Sequence, residues 1–410
     1  MHNKGRLGMN ILFLTTGRMD NIEQHAIYPD LLRCFRDNGH AVYTVSLYEK
    51  RSGKETELIE DRGAHMLHVK IGNLTKTNLF EKGISTILIE QQYKKAIIKY
   101  FPEIHFDLVM YSTPPITLAK VIEFVKKRDN ATTYLLLKDI FPQNAVDIGI
   151  MRKSGIKGIL YKYFRLKEKK LYALSNYIGC MSQANVDYVM EHNPEVKPEN
   201  IEMCPNSIEI VDMRVDTIIR DEMRQKYGIP LDKKVFVYGG NLGKPQGIPF
   251  LIKCLKSQTK NTDVYFLIAG DGTEFGKLEH FFNEQKPINM KLMKRLPKED
   301  YDRIVAACDV GIIFLDHRFT IPNFPSRLLS YMSAGIPVLA CTDPNTDIGK
   351  VITDGGFGWW CESNNVIAFQ DKVQEACKSN LTSMGEKGFR YLKEHYSAEK
   401  GYEIIMRHLY

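Results

Sequence analysis

Along most of the chain, short apolar runs alternate with stretches whose apolar residues recur at helical spacing. Asn10–Thr15 (NILFLT) opens the series, followed by a loop with Gly17, a helical stretch around Tyr28–Asp37 and the run Ala41–Leu47. Asp107–Tyr111, Thr132–Leu137 and Tyr177–Met181 are further short runs with helical patterns between them. Runs of this kind predict parallel strands covered by helices on both faces. A polar, charged stretch occupies about 207–233, and the same grammar then restarts with strands at Val235–Tyr238, Val264–Ala269, Val310–Leu315 and Val338–Ala340. Met384–Tyr410 reads as helical. The expectation is therefore α/β architecture with two doubly wound Rossmann-like domains. Their predicted limits are 9–206 and 207–383, with a closing helix over 384–410.

Length and composition agree with this. At 410 residues the chain has material for two cores, and 44% apolar with 26% charged residues excludes a wholly disordered protein. No apolar run reaches the length of a spanning helix. The polar start, Met1 to Gly8, lacks a signal-peptide pattern, so Met9 is the expected start of the fold. Eight scattered cysteines without C-x-x-C or zinc-ligand spacing read as reduced thiols of a cytoplasmic protein, and no metal site is expected.

The net charge of +7 is local. Residues 151–172 (MRKSGIKGILYKYFRLKEKKLY) hold eight basic residues and one acid, Glu168. Helical spacing gathers Ile156, Ile159, Leu160, Tyr163 and Phe164 near one face, with Lys157, Lys162, Arg165 and Lys169 around it. Two readings stand: an interfacial helix on an anionic membrane surface, or a solvated helix whose apolar face packs on its own domain. No recognised nucleic-acid module accompanies the charge, so nucleic acid is not an expected partner.

Ligands of parallel sheets bind beyond the carboxyl ends of the strands, where loops meet helix starts. Four loops qualify. Thr15–Arg18 offers one glycine, Gly17, and lacks G-x-G-x-x-G, which disfavours a dinucleotide dehydrogenase. Tyr238–Lys244 (YGGNLGK) combines three glycines with a cation, and Gly270–Thr273 (GDGT) follows the next strand. In FTIPNFPSRLLSYMSAGIPVLACTD (319–343), Pro325 and Ser326 fit a helix start and Gly335 its end. The N–H groups of 326–328 and the Arg327 guanidinium would converge on an anion there, although a plain helix start explains the same residues.

The segments GGNLGKPQG, AGDGTE, LPKEDYDRIVAACDVGII and FPSRLLSYMSAGIPVLACTD follow one another in the order and spacing of family 4 glycosyltransferases. Upstream, FDLVMYSTPP, LLKDIFPQNAVDIG, CMSQANVDYV and CPNSIE complete the pattern. The chain resembles in particular the subgroup that adds N-acetylated amino sugars, such as N-acetyl-fucosamine, in capsule and O-antigen assembly. The resemblance implies a GT-B fold, two domains facing a cleft, with the last helix crossing back to the N-terminal domain. It implies a retaining transferase that needs no metal and no cofactor. A UDP-sugar would serve as donor, held by the C-terminal domain, with a glycan acceptor on a polyprenyl diphosphate. Such an acceptor would favour the interfacial reading of residues 151–172, which places a cytoplasmic protein peripherally on the inner membrane face.

Residue roles carry over from the resemblance as follows. Lys244 takes the phosphate role that the family gives to an Arg and a Lys, whose places hold Asn241 and Gln246. Gly17, Gly240, Gly243, Gly270, Asp271 and Gly272 would approach the nucleotide, and Arg295 and Leu296 lie where the base is read. The family's pair of glutamates is missing, replaced by Pro322 and Ser330, so the donor grip would lean on Arg327 and on Asn323, Phe324, Pro325 and Ser326. Lys244 and Arg327 would stabilise charge on the leaving diphosphate. Asp139, in KDIFP, is the candidate acid–base group, and a loop or capping carboxylate is its plain alternative. His317, Asn345, Thr346 and Asp347 are weaker candidates for sugar hydroxyls. Two other functions share this architecture: a UDP-N-acetylglucosamine 2-epimerase and an inactive nucleotide-sugar-binding subunit of a glycan assembly complex.

Overall fold

The computed structural model describes residues 8–74 and 79–409, with backbone alone over 79–87. The polar start expected before Met9 lies, through residue 7, outside the described residues. The chain divides into two compact units. One comprises Met1–Val146, Met151–Glu209 and Ala398–Tyr410; the other comprises Asp147–Ile150 and Ile210–Ser397.

The first unit is built on an eight-stranded sheet. Its strands are β1 (Asn10–Leu14), β2 (Ala41–Glu49), β3 (Glu57–Asp61), β4 (Ala64–Ile71), β5 (Leu108–Ser112), β6 (Thr132–Leu137), β7 (Tyr177–Cys180) and β8 (Ile201–Met203). The order is β3-β4-β2-β1-β5-β6-β7-β8, parallel except for β3 against β4. β1 sits between β2 and β5, the point where the winding reverses, and the Thr15–Arg18 loop leaves from it. Ile11, Phe13, Met110 and Leu136 share a core with Leu31 and Phe35 of helix Ile27–Asp37.

The hairpin of β3 and β4 is absent from the sequence expectation. β3 is an edge strand with charged, half-exposed positions, and Arg62 and Gly63 make its turn with φ of 47° and 83°. Charged edges suppress sheet-to-sheet association, and they also hide the strand from a hydrophobicity reading.

The second unit holds a six-stranded parallel sheet. Its strands are β9 (Lys234–Asn241), β10 (Val264–Asp271), β11 (Met290–Met293), β12 (Val310–Phe314), β13 (Val338–Thr342) and β14 (Gly358–Glu362), in the order β11-β10-β9-β12-β13-β14. β9 is the switch strand here, flanked by β10 and β12. The polar stretch 207–233 contains helix Thr217–Lys226, started by the Asp216 side chain accepting from the Ile219 N–H. Fully buried Arg224 ties that helix to the sheet. It donates to Asp309 at 2.7 Å and to the carbonyls of Ala307, Pro230 and Lys233. A buried guanidinium survives only when paired and hydrogen-bonded in this way.

The expected helix over 384–410 is two helices with different addresses, Leu381–His395 and Ala398–Met406. The break falls where the Tyr396 ring buries beside Tyr391 and Phe324 in the second unit. The first helix therefore stays with that unit. Only the second joins helix Ile27–Asp37, with the Tyr402 ring edge-on to Phe35 at 4.9 Å.

In the first unit, Arg33 bridges Asp30 at 2.8 Å and Glu209 at 2.5 Å, and His25 meets Asp30 at 3.0 Å. His25, Asp30 and Glu209 are the one cluster of metal-ligand type among the described residues. The guanidinium already neutralises its carboxylates, so the cluster acts as a clasp on the end of the first unit's chain. All eight cysteines are free, and Cys341 and Cys361 lie opposite each other on β13 and β14 with sulfurs 3.5 Å apart.

Gly385 packs directly on the Gly335 carbonyl, 1.8 Å from where a Cβ would stand. Gly385→Ala is therefore expected to lower the stability of the second unit by about 1–3 kcal/mol, an overpacking effect read by calorimetry or denaturant unfolding.

Candidate functional site

In the second unit the turn after β9 is fixed by what surrounds it. A Cβ on Gly239 would fall 1.8 Å from the Tyr301 hydroxyl, and one on Gly270 would fall 2.0 Å from the Gly240 carbonyl. A Cβ on Gly272 would meet the Leu242 backbone at 2.5 Å. Gly240 also has φ of 119°, a conformation that side chains disfavour. The two glycine turns thus nest into one another, and the β9 turn carries no side chain at Gly239 and Gly240.

Arg327 lies next to that turn. Its guanidinium stacks 4.4 Å over the Tyr238 ring, and a Cβ on Gly240 would stand 3.6 Å from its Nη2. Tyr331 anchors the surroundings by donating to the Val237 or Ile312 carbonyl at 3.2 and 3.1 Å. Burial pushes the Tyr301 phenol well above its ordinary pKa, partly offset by Arg327. The tyrosines stay neutral, so the cation is not cancelled. Its Nη1 is shielded from solvent and has no hydrogen-bond partner in the protein. An unpaired buried donor is costly, so an acceptor that reached this one would be held strongly.

Lys244 is exposed at the start of the short turn Lys244–Gln246. Asn241 and Gln246, which stand where the resembled family has its cations, brace the loop instead. Gln246 Oε1 accepts from the Gly243 N–H at 3.1 Å and from Asn241 Nδ2 at 3.4 Å. Asp271 likewise accepts from the Gly272 N–H at 2.8 Å. Arg295 is exposed and Leu296 half-buried in the loop after β11.

The segment before Arg327 corrects one expectation. Helix Arg327–Ser333 has seven residues, and the Leu328 N–H is already taken by the Pro325 carbonyl at 3.2 Å. The three amides of 326–328 therefore do not all stand free. Asn323 supplies a different group: its Nδ2 is shielded and unpartnered. Its carbonyl accepts from Thr346 Oγ1 at 2.5 Å, and the Phe319 carbonyl accepts from Asn345 Nδ2 at 2.6 Å. The side chains of Asn345 and Thr346 thus hold the 319–323 loop in shape. Asp347 begins helix Ile348–Asp354, and its carboxylate does not cap that helix. Phe324 packs against Tyr396, Ser326 is exposed and Ser330 is half-buried. His317 is exposed, 3.8 Å from Asp316, which Arg318 clamps at 2.9 and 2.7 Å.

Sequence reasoning missed Asp343, directly after β13. It is fully buried, with Oδ1 receiving the N–H groups of Asn345 and Thr346 and Oδ2 unpartnered, and burial lifts its pKa to about 6. It also missed the three tyrosines around Arg327, because single tyrosines in scattered segments carry no local motif.

In the first unit, Asp139 lies just past β6, at the carboxyl edge of the sheet. Asn144 Nδ2 donates to its two oxygens at 2.8 and 2.7 Å. Its own main chain is pinned by Thr113 Oγ1, which donates to the Asp139 carbonyl at 3.1 Å. Neighbouring Lys138 donates to the Cys204 carbonyl at 3.2 Å, and burial lowers its pKa. Glu168, held by Arg165 at 2.5 Å and Tyr172 at 2.8 Å, is also raised by burial, with Asp139 adding to the effect. Gly17 sits in an exposed loop, its N–H on Thr15 Oγ1 at 2.9 Å.

Burial raises the Asp139 carboxyl from 3.8 to about 6, against the opposing Asn144 and Ile140 hydrogen bonds. Between those values the folded chain keeps a proton that the unfolded chain has lost, so stability falls as pH rises through this window. Asp139→Asn is expected to match the parent below pH ~4 and to exceed it by about 2–3 kcal/mol above pH ~6, measured by denaturant unfolding across pH.

Comparison with known proteins bears on the family and the fold. Residues 219–390 match the family model of glycosyl transferases group 1. The probable glycosyltransferase WbjE of Pseudomonas aeruginosa is 25% identical over 293 residues, 71% of this chain and 71% of its own. The putative colanic acid biosynthesis glycosyl transferase WcaI of Escherichia coli K12 is 22% identical over 275 residues, 66% of each chain. Among solved structures, sucrose-phosphate synthase from Thermosynechococcus elongatus superimposes with a TM-score of 0.73 at 13% identity, covering 97% of this chain and 98% of its own. Anabaena HepE in complex with UDP and glucose gives 0.67 at 15% identity, covering 98% and 99%. The fold is that of the GT-B glycosyltransferases. The stretch that carries the glycine turns and Arg327 lies within the region that matches the glycosyl transferases group 1 model.

Proposed function

We propose that the chain transfers an N-acetylated amino sugar from a UDP-sugar to a glycan acceptor in surface polysaccharide biosynthesis, with retention at the anomeric carbon. The observation that carries the donor side is the shielded, unpartnered Nη1 of Arg327 beside the β9 turn, within the region that matches the group 1 model. Transfer breaks the bond between the anomeric carbon and the diphosphate oxygen, and negative charge grows on that oxygen. A fixed guanidinium under a backbone turn stabilises this charge without reorganising, and exposed Lys244 adds a second cation from the rim. The same two cations supply what a divalent metal supplies in other transferases.

The acceptor role falls to the first unit. The raised Asp139 carboxyl is suited to exchanging a proton near pH 6, and Asn144 sets its orientation. WcaI is described as a colanic acid biosynthesis enzyme and HepE was solved with UDP and glucose, which supports a UDP-sugar donor and a polysaccharide product.

Incubation with UDP-sugars and lipid-diphosphate-linked acceptors tests the reading. A glycosylated acceptor with unchanged anomeric configuration is expected. Epimerised donor without acceptor, or nucleotide binding without turnover, overturns it. Arg327→Gln should weaken UDP binding by about 10- to 100-fold and Lys244→Ala by about fivefold, read by titration calorimetry with circular dichroism as the check on folding. Unchanged affinity in both variants would place the donor elsewhere.

A further inference from the structure

The basic segment has a geometry that the transferase reading does not absorb. Helix Gly155–Leu174 packs on its own unit through Gly158, Glu168, Leu171 and Tyr172. Its other side carries Ile156, Ile159 and Leu166, exposed at 88%, 71% and 68%, with Leu160 and Tyr163 also exposed. At ~100° per residue these five fall within an arc of about 120°, centred opposite Gly158, Glu168 and Tyr172. Of the face expected to pack inward or on a membrane, Phe164 turns to Phe141 of its own unit at 5.1 Å, and the other four residues, joined by Leu166, point away from that unit.

The charges divide in the same way. Arg165 is turned in to Glu168 and Asn193, Lys169 pairs with Glu195 and Lys170 with Glu123. Among the described residues, Arg152, Lys157 and Lys162 carry no ion pair, and Lys167 lies 5.7 Å from the Tyr163 ring. Lys157 and Lys162 border the apolar arc on its two sides, and residues 151–167 contain no acid.

We infer that this face docks on an anionic lipid bilayer, with the aliphatic side chains entering the headgroup boundary and the lysines reaching the lipid phosphates. An apolar stripe edged by lysines whose stems reach along it is the pattern of a helix lying in an interface. A second copy of the chain fits poorly, since it would oppose one acid-free basic stripe with another. The inference does not depend on which reaction the protein performs.

Flotation of the full chain with vesicles tests it, using zwitterionic lipid alone and the same lipid with an anionic fraction. The protein is expected to float with the anionic vesicles and to stay behind with the zwitterionic ones, less so as salt rises. K157Q/K162Q should lower partition on anionic vesicles by about thirtyfold, and I159S/L166S by roughly tenfold or more. UDP affinity, read on the same samples, should not change, which separates this test from that of the donor site. Equal recovery on both vesicle types overturns the inference, as does wild-type partition by both variants. A concentration-dependent dimer that I159S/L166S abolishes, without vesicle uptake, also overturns it and assigns the face to self-association.

Discussion

A guanidinium held against a neutral tyrosine, one donor unspent, sets the requirements for the second unit. Placing Arg327 there requires that Tyr238, Tyr301 and Tyr331 stay un-ionised, and burial ensures this. It also requires that no side chain lie between the cation and the turn after β9, hence glycine at 240, while Gly239 makes room for the Tyr301 ring. The sheet order follows the same logic. Because β9 is the switch strand, its carboxyl end is the place where loops from both halves of the sheet part to leave room for a ligand.

How much of this the sequence discloses depends on the physics of each element. Strands buried on both faces, such as Thr132–Leu137 and Val310–Phe314, are legible because most of their positions are apolar. The edge and neighbouring strands β3, β8, β11 and β14 are not, because half or more of their positions are not fully buried, or only three or four residues carry the signal. The break at Tyr396 is not marked by proline or glycine; there the Tyr396 ring buries and the Ala398 N–H donates to the Ile208 carbonyl at 2.8 Å. At the site, the glycine turns and Arg327 are visible as motifs. Asp343, Lys138 and Glu168 matter through burial, which a linear reading does not register.

Helix Gly155–Leu174 shows two demands placed on one element. Its later turns satisfy the fold, with Glu168 receiving Arg165 and Tyr172 in the interior. Its earlier turns leave aliphatic groups in water. Helical periodicity alone finds both faces but cannot assign inside and outside, since each carries apolar residues; the structure assigns them by where the acid is buried.

The clasp of Arg33 with Asp30 and Glu209, and the return of helix Ala398–Met406 to helix Ile27–Asp37, have a consequence for biosynthesis. The ribosome releases the amino-terminal sheet early, yet the groove beside Leu31 and Phe35 receives Ile405 and Met406 only after the whole intervening body has emerged. The half made first is finished last. Until then that seam stays open, and a single cut near residue 209 would leave Ala398–Tyr410, which belongs to the first unit, on the fragment of the second.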